Sequence, residues 1–333
     1  HFSFSKTMMA FISYLIYSGL ILIGLYLIYK LLLAKETFLG FNRTYLLLSY
    51  VVAFGTLPVI FTLRSFEKTA LQMQSGIQVV GVGTLALSPD SYSFPDWAAR
   101  TIIVIYIIGV AVMLAVFFRT LWKISLLARH GEARKIDGTN VIVLSQKASQ
   151  TADVQQYAPF SWGGKIFVTE NNLEEKAVIA HEKRHLQGMH WLDLLFAQII
   201  ITFSWFNPAA WLIRRELQDV HEFEADRAVA DSGADMHQYQ MMLIEKASGL
   251  KFSALANCLN LSTLTRRVNM MLRKPSSAKN LWKAALAIPM FAVIVSFTSF
   301  DSIAWSITPH HFDVATNTPG LPNGGTEILY QHS

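Results

Sequence analysis

Cysteine is nearly absent: Cys258 is the only one among 333 residues. A single cysteine excludes an intrachain disulfide and any Cys-rich zinc knuckle, and leaves a buried, inert thiol as the expectation. Charge is scarce as well. Asp, Glu, Lys and Arg make up 15% of the chain, against roughly a quarter in a soluble domain, while hydrophobic residues reach 52%. Basic residues stop altogether after Lys283, and 21 of the 28 lie between Arg119 and Lys283. There they are interspersed with Asp and Glu instead of forming one basic face, so the net charge of +5 does not point to direct nucleic-acid binding. It reads as the Lys/Arg excess of a cytoplasmic segment between membrane spans.

The apolar runs supply the spans. A native chain does not begin with His1, and Met8 or Met9 is a natural start, so residues 1–8 are set aside as an upstream or added segment. The run that follows is too long for a signal-peptide core and has no small-residue cleavage site. Spans are expected at about 9–33, 45–63, 97–118 and 281–300, each near the ~20 residues that cross hydrocarbon. Pro58 in the second is tolerable where neighbouring helices satisfy a freed carbonyl. Lys35 and Arg43 in the first connector, and the basic segment 119–280, place both on the cytoplasmic side. The loop 64–96, with a turn at Ser88-Pro89-Asp90, and the tail 301–333 then lie outside. The run from Trp191 to Phe206 is too short for a fifth span and carries Asp193 and Gln198; a buried or membrane-grazing helix is expected there.

Within 119–280, Asn140–Leu144 and Lys165–Thr169 have strand composition, preceded by Asp137-Gly138 and Trp162-Gly163-Gly164. Helices are expected over Leu173–Leu186, Trp191–Phe206, Pro208–Asp231 and His237–Gly249. Asn172 suits an N-cap, with Glu174 and Glu175 in the first turn. The expected fold is a mainly α integral membrane protein of four transmembrane helices with a cytoplasmic α+β domain.

His181-Glu182-Lys183-Arg184-His185 fits H-E-x-x-H. On a helix the two His share one face and can bind one Zn²⁺, with the Glu between them as general base on the attacking water. A catalytic zinc takes a third protein ligand and keeps one position open. His221-Glu222-Phe223-Glu224-Ala225-Asp226 offers it: Glu222 and Asp226 share a face, so one can ligate while the other orients a ligand His. Asp193 is either a supporting residue of this kind or an ordinary charge at a helix N-terminus. His190 and His221 read as structural, Glu224 and Arg227 as a solvated face, and Arg266 and Arg267 as juxtamembrane anchors facing anionic lipid. The Lys165–Thr169 strand would either pair with an extended substrate or lie buried in a small sheet.

HEKRHLQGMHWLD, WFNPAAW and HEFEAD, in that order, resemble the membrane zinc peptidases of the BlaR/MecR type, the gluzincin-type transducers of beta-lactam signals. TFLGFNRTYLLL, APFSWGGKIFV and TLTRRVNMM extend the resemblance over roughly residues 9–300. It implies metal ligands His181, His185 and Glu222, Glu182 as base, Asp226 as the supporting aspartate, and a cytoplasmic peptidase domain between the third and fourth spans. It also implies regulated proteolysis of a cytoplasmic regulator, and self-cleavage. The C-terminus departs from the pattern. Those receptors continue into a penicillin-binding sensor, whereas residues 301–333 contain no lysine and hence no Ser-x-x-Lys.

The expected function is therefore a multi-pass zinc endopeptidase of the cytoplasmic membrane, acting on a polypeptide. The lipid bilayer is its other partner, and a homodimer is compatible with the sequence. The competing class is a non-catalytic receptor or scaffold braced by zinc. Glu182 favours the enzyme, because a structural zinc site has no use for a base.

Overall fold

The computed structural model describes residues 2–55, 96–136, 138–144, 159–173, 175–248, 254–280, 282–283 and 285–286. The molecule is mostly helical, with a small sheet and two candidate membrane-spanning helices. The loop placed at 64–96 lies outside the described residues but for its last position, as do Asp137, the tail 301–333 and most of 281–300. The Cys258 side chain lies outside them too.

Helix α1 (Phe2–Ile28) ends in a π-helical turn, Tyr29–Leu33, and α2 covers 39–55. Helix α3 (Asp96–His130) runs unbroken for 35 residues. Phe11–Leu33 and Trp97–His130 are long and apolar enough to cross a membrane. The second apolar run behaves differently from expectation at its start: α2 begins six residues before Tyr45, and 56–63 lie outside the described residues. The third helix passes the expected end at Phe118 because Arg119 to His130 contains no Gly or Pro to stop it; Gly131 does so.

Four strands follow: β1 (Glu132–Ile136), β2 (Thr139–Leu144), β3 (Phe160–Trp162) and β4 (Lys165–Thr169). The sheet order is β1-β2-β4-β3, with β2 and β4 parallel and the outer pairings antiparallel. Strand alternation sorts its core into two faces. Val141, Val143, Ile166 and Val168 pack under Ile179 and Leu186, while Ile142, Leu144 and Phe167 meet Leu127 and Ala128 at the end of α3. β1 and β3 escape the sequence reading because each is short and polar or aromatic. β3 is made by the β3–β4 hairpin, where Gly163 and Gly164 adopt φ of 56° and 82°. That pair of positive values suits the two-residue turn that favours hairpins.

Helices α4 (Lys176–Gln187), α5 (His190–Phe203), α6 (Pro208–Asp231), α7 (Met236–Ser248) and α8 (Ala254–Met271) complete the described fold. α4 starts later than expected. Asn172 sits in a 3-10 turn and bonds Thr169, and Glu175 takes the N-cap position. Asn207 caps α6, accepting from the Ala209 N–H at 2.9 Å, with Pro208 in the first turn. The largest core joins α1, α2, α5 and α6 through Leu22, Leu25, Leu46, Ile201, Ile213 and Leu217.

Candidate metal centre

α4 and α6 cross with His181, His185 and Glu222 facing one another. His181 Nε2 and His185 Nε2 are 3.1 Å apart. Glu222 Oε2 lies 3.5 Å from the first and its Oε1 3.6 Å from the second. Ligands held 2.0–2.1 Å from a tetrahedral ion stand about 3.3 Å from one another, so the two imidazoles and the carboxylate have the spacing of a shared cation. Among the described residues this is the group whose donors could hold a metal ion.

The far side of each imidazole is engaged, which turns Nε2 inward. Tyr239 Oη accepts from His181 Nδ1–H at 3.0 Å and donates to Asp226 Oδ1 at 2.8 Å. Asp226 also stands 3.3 Å from His181 Nδ1 and receives two bonds from Arg267. His185 Nδ1 lies 2.7 Å from His190 Nδ1, and His190 Nε2 lies 3.2 Å from Glu224 Oε2. With Nε2–H of His190 on the carboxylate, His190 Nδ1 accepts from His185, and the His185 Nε2 lone pair is free to ligate.

A further layer holds that relay. The His190 ring stacks on His221 at 4.0 Å. His221 Nε2–H donates to Asp193 Oδ2 at 2.8 Å, and Arg43 donates to Asp193 at 2.7 Å and to the Gly188 carbonyl at 2.6 Å. Gly188 admits no larger residue, since a Cβ there would stand 2.5 Å from His190 Nε2. Asp193 thus holds His221 and Arg43 and does not touch a candidate ligand, while Asp226 does.

Electrostatics follow from burial and these partners. Burial disfavours a charged His181, yet its bonds with Asp226 and Glu222 outweigh it and carry the pKa up to about 9. His185 falls to about 3 through burial and the neighbouring His181, against the pull of Glu222. Two imidazoles with Nε2 atoms this close cannot both carry a proton between them. Glu222 is held well below the carboxylate range, because His181 and Arg267 overcome its burial. Burial pushes Glu182 up to about 7, reinforced by the Glu222 charge and opposed by His181 and a hydrogen bond with Ser161. A cavity of about 390 Å³ opens onto Glu182, His181, His185, Glu222, Ser161 and Trp162.

Two sequence-based expectations are corrected. Glu224 is buried, bonded to Arg184 and His190, because α6 is covered on that flank by α4; Arg227, one turn on, is exposed as expected. Arg267 turns inward to Glu222 and Asp226, and Arg266 to Glu216 and Asp219, so neither is a lipid anchor. For β4, the second of the two alternatives holds: it lies buried between β2 and β3 and offers no free edge to a substrate. Tyr239, Arg43 and Ser161 were not read as site residues: Arg43 was read as a topological charge, the other two were given no role of their own, and only the fold brings each to the centre.

Comparison with known protein families found no match, and comparison with curated proteins found none either.

Proposed function

We propose that the chain is a zinc endopeptidase of the cytoplasmic membrane, cleaving a cytoplasmic regulator and itself, in the manner of the BlaR/MecR-type peptidases that its motifs resemble. The observation that carries the reading is the convergence of His181, His185 and Glu222 at ligand spacing beside the buried carboxylate of Glu182. Two imidazoles and one carboxylate form a donor set that suits zinc with one position open. When bound, zinc supplies Lewis-acid polarisation of the scissile carbonyl and activation of water.

The chain's own groups do the rest. Glu182, poised near neutrality, takes a proton from the attacking water and returns it to the leaving amine. Ser161 of β3 lines the same cavity wall as that carboxylate. β3 is an outer strand beside the cavity, and its outer edge, unpaired among the described residues, offers main-chain groups to an extended peptide, the role that was one of two alternatives for β4. Asp226, Tyr239, His190 and Glu224 orient the imidazoles.

In this reading four spans enclose a cytoplasmic domain at 119–280. One tie supports it: Lys283 Nζ, at the start of the fourth expected span, lies 2.5 Å from Glu36 Oε1 in the first connector. Both chain segments therefore sit on one side.

The test is metal content and proteolysis on the full chain in detergent. One zinc per chain is expected, with cleavage of a casein-type substrate abolished by a chelator and restored by zinc. A chain that binds no zinc ends the reading. His190→Ala is expected to weaken zinc binding about 10–100-fold in competition with a fluorescent chelator. Unchanged affinity would mean that His185 needs no partner behind it.

A further inference from the structure

The segment from Leu194 to Ile213 holds twenty consecutive residues without a charge, yet it forms no single helix. α5 runs out, turns at Ser204–Asn207, and α6 returns. It must return, because Glu222 on α6 meets His181 on α4. Both ends of the pair therefore lie on the side of the His/Glu cluster.

The turn lies beside the middle of both candidate spans. Asn207 Nδ2 donates to the Gly19 carbonyl of α1 at 3.3 Å. Tyr106 of α3 donates to the Phe203 carbonyl at 3.0 Å, and Trp205 occupies the space that a Cβ on Gly109 of α3 would fill. Gly19 precedes Lys30 by eleven residues, and Gly109 precedes Arg119 by ten. At 1.5 Å per residue both stand about 15–17 Å below the basic end of their helix, which is the half-thickness of a ~30 Å hydrocarbon core. Two independent helices thus give the same depth.

Three successive carbonyls of the turn are met by protein, while the Trp205 indole N–H is buried without a partner among the described residues. Non-helical backbone at that depth is tolerated only where its polar groups are met by protein. The Phe203 carbonyl is met by Tyr106, that of Ser204 by the Asn207 N–H, and that of Trp205 by the Trp211 indole. Thr202 and Ser204 hydroxyls bond back to the helix at 2.8 Å. Ile199, Phe203, Phe206, Trp211 and Leu212 remain exposed by 38–49%, and Ile105 and Ile108 on α3 are exposed likewise, by 54% and 58%.

We propose that α5 and α6 form a re-entrant hairpin that enters the bilayer from the side of the His/Glu cluster, its turn near the midplane and its exposed apolar flank against acyl chains. By the length of α5, His190 then stands about 20 Å from the turn, which puts the cluster at headgroup level. The peptide bonds within reach are those in polypeptide segments that run along the membrane surface. The hairpin rests on α1 and α3 spanning the bilayer and is independent of the metal; the substrate class rests on the peptidase reading as well.

Site-directed spin labelling of the full chain in lipid vesicles tests it. Labels go on Leu192→Cys, Ile199→Cys and Phe206→Cys, with Ile108→Cys on α3 and Arg227→Cys on α6 as references, all in a Cys258→Ser background. Relaxation by oxygen against a water-soluble nickel complex gives depth. The expected result is a steady descent from 192 through 199 to 206, with 206 as deep as 108 and 227 in water. Equal shallow depth at 192, 199 and 206 would describe a helix lying on the surface and overturn the proposal. Nickel access to 206 but not 108 overturns the hairpin and leaves the span reading standing; access to both overturns the two together.

Discussion

Glu182→Gln is expected to lower peptide hydrolysis by about 10²–10⁴-fold, the usual contribution of a positioned acid–base group, with zinc content unchanged. The substitution is nearly isosteric, so the cavity wall is preserved. What it removes is a carboxylate that burial has pushed up to about 7, where the proton is exchanged readily at neutral pH. Zinc should stay, since the side chain is not among the three that converge. Turnover and metal content, measured on the same preparation, separate the two function classes. Hydrolysis that survives the change intact removes Glu182 from the chemistry. Signalling that is unchanged in the variant, with zinc retained, favours the receptor or scaffold.

Asp226→Ala is the second large effect, and it acts on folding and metal together. Asp226 is buried, accepts from Tyr239 and from two nitrogens of Arg267, and lies beside His181 Nδ1. Removing one partner of a buried ion pair costs about 3–5 kcal/mol, because the other charge loses its compensation. Arg267 would be left with Glu222, drawing that carboxylate away from the imidazoles. Thermal unfolding in detergent should shift strongly downward and zinc affinity should fall with it. Asp226→Asn should recover part of both, since its amide oxygen still accepts from Tyr239. A change no larger than the ~0.5 kcal/mol of a surface substitution would show that Arg267 is satisfied elsewhere.

The three converging residues were legible because helical spacing alone places His181 and His185 on one face, and Glu222 and Asp226 on another. The helices after Asn172 were legible too, from Pro208 behind Asn207 and from the Gly188 break. What surrounds the cluster was not. Glu224 and Arg227 look alike in sequence, yet α4 covers one and leaves the other exposed. Arg266 and Arg267 beside a hydrophobic stretch suggest lipid, and only the packing of α8 on α6 turns them to Glu216, Asp219, Glu222 and Asp226. Strands β1 and β3 lack an apolar alternation of their own and depend on β2 and β4 as templates. The run from Trp191 to Phe206 was judged too short for a span, with Asp193 and Gln198 in it. That remains true of α5 alone, and it is the contact of its turn into α6 with Gly19 and Gly109 that gives the pair a depth.

The unbroken length of α3 has a mechanical meaning. Its last turns carry the sheet directly, through Leu127 and Ala128 against Ile142, Leu144 and Phe167, and Gly131 lets Ile142 close on the helix end. There is no joint along this beam. From Gly109 to His130 is about 31 Å, so a tilt of about 5° about the first point sweeps the second through roughly 3 Å. That displacement is as large as a hydrogen bond is long, and the sheet carries it to β3, whose Ser161 and Trp162 line the cavity beside Glu182.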